Sequence, residues 1–312
     1  MVLSSEHWSR YWRQGHLTSL PYRFEKNYDA EFEVFWHDQF NRLSAGDHVL
    51  DVCSGNGSIA LLAARYAQTK STAVQITASD AANIDPAVIV AKHPKEQALI
   101  ESIEFIGNTR LEALDLAPGQ FQLITSQFGI EYTDWGRSSP VIYELLSPGG
   151  HFVSVSHAFD SIIVQQMGAQ HPDYVFLVSL GLFDDDCLPL DNPLSRREFV
   201  FRIDEAIDQI HQRFSSRGQA PVLAQYGQEL EQILETLVTD FAAGFEHFQR
   251  IKRSLINNYE VSADFNSVGA RLAAQRNWSD AFVTAGLQLV AHESLTDPDQ
   301  LKLADTFVFM KP

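Results

Sequence analysis

The chain has 312 residues, 45% hydrophobic and 20% charged, a composition that buries a substantial core and excludes a disordered chain. Forty acidic residues against 23 basic ones give a formal charge of −17, which repels phosphate backbones and argues against a nucleic-acid partner. No apolar run approaches the ~20 residues of a membrane span, the start lacks the order of a secretory signal, and two cysteines, Cys53 and Cys187, make neither a disulfide framework nor a zinc set, so a cytoplasmic, metal-free protein is expected.

The first 45 residues are dense in aromatics, among them Trp8, Tyr11, Trp12, Tyr22, Phe24, Tyr28 and Trp36. From Asp29 the spacing of Phe32, Phe35, Trp36 and Phe40 predicts a core-facing helix. Before it the pattern is aperiodic. That stretch reads as an arm or lid over a site, with Tyr11, Trp12, His16 and Tyr28 as candidate substrate-wall residues, and an arm docking another subunit as the competing reading.

From residue 46 strands and helices alternate. The strand 48-HVLDV-52 is followed by a Gly-rich turn and a helix from Ser58 to Tyr66. Then come β-like 73-AVQITASD-80, a short helix from Pro86 to Lys92, and the strands 102-SIEFIG-107, 120-QFQLITSQF-128 and 151-HFVSVSHA-158. Strands separated by helical patterns predict a parallel sheet covered on both faces.

The alternation stops near Asp160. Ser195 to Glu198 reads as a capping box, with Phe199, Ile203, Ile207, Ile210 and Phe214 following at helical spacing. Leu230 through Leu255 then form a single apolar stripe of about seven turns, read as core packing. Arg250, Lys252 and Arg253 are read as complementing the dipole at that helix's end. A helix from Arg271 to Ala285 closes on Gly286, and the strands 287-LQLVAHES-294 and 305-DTFVFM-310 finish the chain.

The expected architecture is therefore a doubly wound α/β domain over 46–159 and 271–312, with a mostly parallel seven-stranded sheet ending in an antiparallel hairpin. Residues 1–45 precede it as the arm, and 160–270 interrupt it as an inserted helical cap.

The turn after the first strand carries the chemistry. Gly55-Asn56-Gly57-Ser58-Ile59-Ala60 fits G-x-G-x-x-G/A, a turn in which the backbone approaches a ribose-bearing cofactor. Asp80, at the tip of the next strand, supplies an acid for the ribose hydroxyls. To this point a nicotinamide dinucleotide and S-adenosylmethionine fit equally. Asp51, four residues before Gly55, would repel a pyrophosphate at the helix N-terminus but welcome an ammonium. The terminal hairpin is not the second half of a dinucleotide fold, and Ser126-Gln127-Phe128 forms a polar-aromatic elbow where a doubly wound sheet presents ligands.

With these features the sequence resembles the class I S-adenosylmethionine-dependent methyltransferases over roughly 46–158 and 275–312. Asp51-Val52-Cys53-Ser54-Gly55-Asn56-Gly57 looks like that family's D-x-G-x-G-x-G loop, with Cys53 where the first glycine is usual. The resemblance implies that Asp80 takes the ribose and Ala81 lies beside adenine. It places Asn108 or Thr109 against the adenine amino group, and Gln127 and Phe128 at the position after the fourth strand that flanks cofactor and substrate.

The expected activity is methyl transfer by in-line displacement to O or N of a small-molecule acceptor. The chain's part is alignment and exclusion of water, with base help if the acceptor arrives protonated. Candidate bases or orienting groups are His157, Glu131 and Tyr132. Nucleic-acid or protein methylation is disfavoured by charge and by the absence of N/D-P-P-Y/F. A non-catalytic cofactor-binding regulator remains the reading from another class, and a homodimer through the arm or insert is an open expectation.

Overall fold

A computed structural model describes residues 5–20, 24, 26–183, 193–218 and 220–312; Tyr22 and Cys187 lie outside the described residues. The chain divides into two compact units, one made of Met1–Val164 and Val268–Pro312, the other of Gln165–Ser267.

The first unit opens with helices α1 (Glu6–Trp12) and α2 (Ala30–Phe40). Next come β1 (His48–Val52), α3 (Ser58–Lys70), β2 (Gln75–Ser79), α4 (Pro86–Lys92), α5 (Gln97–Ile100), β3 (Ile103–Ile106), β4 (Phe121–Gln127), α6 (Trp135–Leu145) and β5 (Leu146–Ser156). Helix α7 (Ile162–Ser179) leads out, α8 (Pro193–Arg217) and α9 (Pro221–Thr239) follow, and α10 (Phe241–Ala274) leads back to α11 (Asp280–Thr284), β6 (Gln288–Thr296) and β7 (Lys302–Met310).

The seven strands lie in the order β3-β2-β1-β4-β5-β7-β6. β1 pairs in parallel with β2 on one side and β4 on the other, and β7 alone runs antiparallel between β5 and β6. The strand order reverses between β1 and β4, so their carboxyl ends border the crevice where such sheets hold ligands. One face of the sheet is sealed by Leu50, Val52, Ile124, Phe152 and Phe309 against Trp135, Ile142 and Phe282. Phe32, Trp36 and Phe40 on α2 are fully buried, as their spacing predicts.

Five local expectations are corrected. The aperiodic arm contains a helix, α1, which buries His7, Tyr11 and Trp12. The long stripe is two helices, α9 and α10, because Asp240 leaves helical geometry and its carboxylate caps the amides of Ala242 and Ala243. At Gly244 any Cβ would strike the Leu237 backbone at 2.7 Å, so the two helices meet at that glycine. Arg250, Lys252 and Arg253 consequently sit inside α10 and not at a helix end, with Arg250 paired to Glu246.

Ser195 is not at the start of its helix: it lies inside α8, which begins at Pro193, a residue suited to the first helical position. The helix expected from Arg271 to Ala285 is interrupted at 275–279. There Trp278 turns into the core between Trp135 and Phe307, with ring centroids 5.3 and 5.1 Å away.

Among the described residues the elements of the second unit are all helices. Tyr174, Leu177, Phe199, Ile203, Tyr226, Leu230, Ile233 and Phe248 form its core. Among the described residues no helix is long and apolar enough to cross a membrane.

Candidate functional site

Beyond β1 the chain turns through left-handed backbone at Cys53 (φ +54°), Gly55 (φ +52°) and Gly57 (φ +75°). Glycine adopts this region without strain and cysteine does not. Cys53 fits because the facing residue is Gly129, where an added Cβ would lie 2.4 Å from the Cys53 Cβ. Burial pushes the Cys53 thiol well up, and the carboxylates of Asp80, Glu112, Glu131 and Asp51 push it further, so it is a neutral packing group and not a nucleophile.

Asp51 is 1% exposed. Its Oδ1 accepts from the Thr125 hydroxyl at 2.9 Å and its Oδ2 from the Ala60 amide at 3.2 Å. The carboxylate thus braces β1 to β4 and to the first turn of α3, using bonds within the fold where the sequence suggested a partner for an ammonium. Burial raises its pKa to about 7 despite those two bonds.

Asp80 is half-buried at the end of β2. Its Oδ2 accepts from the Gly55 amide at 2.8 Å and its Oδ1 from the Ala82 amide at 2.7 Å, tying the glycine loop to the turn that holds Ala81. Burial, its largest influence, raises its pKa. The turn after β3 is drawn to the same place: Asn108, left-handed at φ +55°, donates its amide to the Ala82 carbonyl, and Thr109 donates to that of Asp80. Ser54 donates its amide to the Ser79 carbonyl at 3.0 Å.

The arm lies on this loop. An added Cβ at Gly55 would meet the Trp12 ring at 2.4 Å, so the indole occupies the space the missing side chain leaves. Asn56, 2% exposed, donates from Nδ2 to the carbonyls of Trp12 (2.8 Å) and His16 (2.7 Å). Lys92 on α4 donates to the Gln14 carbonyl, and the Asn83 amide donates to Ser9 Oγ. His16 sits beside Lys92, and burial, Lys92 and His93 lower its pKa to about 4. Tyr11 donates its hydroxyl to the Thr18 carbonyl. Tyr11, Trp12 and His16 therefore stand over the loops after β1 and β2.

A second group forms where β4 and β5 end. Gln127 accepts from the Trp36 indole. Phe128, left-handed at φ +54°, stacks on His157 with centroids 4.3 Å apart, and the Tyr28 ring stands 6.0 Å from Phe128. Glu131 lies on a short 3-10 turn, Ile130–Tyr132, and is fully buried. Its Oε1 accepts from the His157 backbone amide at 2.7 Å and from His157 Nδ1 at 2.6 Å. Oε2 has no hydrogen-bond partner among the described residues. The Tyr132 ring is edge-on to His157 and to Trp8. Tyr28 shares a hydrogen bond with Ser19, and burial, reinforced by the Glu131 charge, pushes its pKa up to about 12.

The fold thus brings Glu131, Tyr132, His157 and Phe128 together and sets Tyr28 beside them, while the rest of the proposed wall gathers over the glycine loop. Sequence reasoning missed Trp8, Gly129, Trp135 and Arg271. Trp8 was readable, standing four residues before Trp12 at helical spacing; Gly129 and Arg271 carry no local signal. Among the described residues no cluster of His, Cys, Asp and Glu could hold a metal ion.

The model of the ubiE/COQ5 methyltransferase family matches residues 31–182. A ubiquinone/menaquinone biosynthesis C-methyltransferase UbiE from Rickettsia felis is 30% identical over 155 residues, covering 45% of this chain and 60% of that protein. Its Rickettsia akari counterpart is 30% identical over 151 residues with the same coverage. The chain thus matches about three fifths of the length of these curated relatives. Phosphoethanolamine N-methyltransferase 2 of Haemonchus contortus, solved with S-adenosyl-L-methionine, aligns with 98% of this chain and 56% of its own at 14% identity and a TM-score of 0.40. The family match spans the glycine loop, Asp80 and the ends of β4 and β5, so over residues 31–182 the chain is similar to the ubiE/COQ5 methyltransferases, on the sheet order described above.

Proposed function

We propose that the chain transfers a methyl group from S-adenosylmethionine to a small-molecule acceptor that loses a proton in the reaction. The observation that carries this reading is the buried Glu131–His157 pair at the carboxyl ends of β4 and β5, beside the glycine loop. When bound, the cofactor supplies an activated methyl group on sulfur.

The residues present fit that cofactor. Asp80 is oriented by two amides, and each of its oxygens keeps a lone pair for a ribose hydroxyl. The left-handed turns at 53–57 present backbone to the ligand, and Ala81, Asn108 and Thr109 are gathered at the adenine side. Phe128 lies against His157, and Gln127 next to it is held by the Trp36 indole. Trp12 acts as a cover on Gly55.

His157 donates its Nδ1 proton to Glu131, which leaves Nε2 as the lone-pair nitrogen of the neutral ring and the atom that takes the acceptor's proton. Glu131 selects the tautomer and stabilises the imidazolium as it forms. The aromatic faces of Phe128, Tyr132 and Trp8 exclude water from that proton transfer.

Oxygen and nitrogen acceptors meet this description, and so does a carbon acid; the Rickettsia relatives are named C-methyltransferases. A cytoplasmic setting belongs to the same reading, from the acidic composition and the sparse cysteines. The test is transfer of labelled methyl to a panel of phenols, amines and carbon acids, with S-adenosylhomocysteine quantified. Tight cofactor binding with no turnover on any class would replace the enzyme reading by the regulatory one.

A further inference from the structure

Glu131 can hold both the backbone amide and the ring of His157 only if its own backbone stays in place, yet it rides on a single 3-10 turn. Such turns have poor hydrogen-bond geometry and little stability of their own. This one is braced by side chains from elsewhere. Arg271, in the last turn of α10, donates from Nη1 to the carbonyls of Glu131 (3.2 Å) and Thr133 (2.9 Å). Its guanidinium carbon lies 3.4 Å from the centre of the Trp135 ring. Trp135 in turn donates its indole N–H to the Ile130 carbonyl at 3.1 Å, and the Thr133 hydroxyl donates to the same carbonyl at 2.8 Å.

We propose that Arg271 is a positioning residue for the Glu131–His157 pair, its guanidinium clamping the turn that carries Glu131 through two carbonyls while stacked on Trp135. The proposal rests on the reading of that pair as the proton-accepting device. Arginine is chemically required: a planar cation can lie flat on an indole and donate in its own plane at once, whereas an ammonium cannot do both. The reacting atoms never touch Arg271. Its effect passes through the backbone of residues 131–133 to a hydrogen bond of 2.6 Å, which a small displacement of Glu131 would stretch.

The test compares R271A, R271K and R271Q with the parent chain. The readouts are melting temperature, cofactor affinity by calorimetry, kcat and KM, and the NMR signal of the His157 Nδ1 proton. Expected for R271A is a kcat lower by about 10- to 100-fold, with KM and cofactor affinity within about twofold. The Nδ1 proton signal should move upfield or broaden. Added guanidinium ion should restore part of the rate, and R271K should recover less than that. A folded R271A with unchanged kcat and an unchanged proton signal overturns the proposal. So does a loss confined to cofactor affinity. If R271A does not fold, R271K and R271Q carry the same comparison. The proton signal is read without any acceptor, so a failed clamp and a failed methyltransferase reading are told apart.

Discussion

Cys53 occupies a left-handed position that glycine fills without strain, and it does so opposite a glycine that has given up its own Cβ. Gly129→Ala should lower stability by about 2 kcal/mol or more, since the new methyl meets both the Cys53 Cβ and its carbonyl. Adding Cys53→Gly should recover part of that loss and not all of it, because the carbonyl clash remains; urea denaturation of the two single variants and the double reads this directly. Asp51 makes a pH prediction. Its pKa is about 7 folded against 3.8 ordinarily, so between these values the folded chain holds a proton the unfolded chain has lost. Stability contributed through Asp51 therefore falls as pH rises across that window, by up to roughly 4 kcal/mol. Asp51→Asn should flatten this slope in melting curves taken from pH 4 to pH 8. For the proton-accepting pair, His157→Ala should reduce kcat by about 100- to 10,000-fold with cofactor affinity nearly unchanged. Asp80→Ala should do the reverse, weakening S-adenosylhomocysteine in calorimetry before it touches the chemistry.

At the scale of elements, the glycine loop and the arm act on each other through Asn56, which spends its amide on two arm carbonyls. Asn56→Ala should loosen residues 5–16, with faster hydrogen exchange there by about tenfold, the worth of one to two buried hydrogen bonds. Unchanged exchange in that segment would show that Trp12 packing and the bonds from Asn83 and Lys92 hold the arm without Asn56. The parallel strands were legible in sequence because each is a short apolar run bounded by turn residues, and Pro86 to Lys92 was legible because a proline opens it. The break at Asp240 was not: the apolar stripe keeps its period across it, and the signal is one capping carboxylate with a glycine four residues on. The arm's helix was hidden by mixing aromatic with polar residues around a short buried stripe.

For the whole molecule, the glycine loop and the Glu131–His157 pair both lie within the sheet-bearing unit, Met1–Val164 and Val268–Pro312. Saturating S-adenosylhomocysteine, at about 100 times its Kd, should stabilise the native protein by roughly 2.7 kcal/mol, while NADH should not. A thermal shift with NADH alone would contradict the proposed cofactor. The sequence by itself determined the alternation of strands and helices, the terminal hairpin, the glycine loop and the acid that follows it, because these are written in local period and in turn chemistry. Tertiary structure decided the rest. Glu131 meets His157 across 26 residues and Arg271 across 140, and such meetings follow from which strand ends lie side by side, an order that no local spacing records.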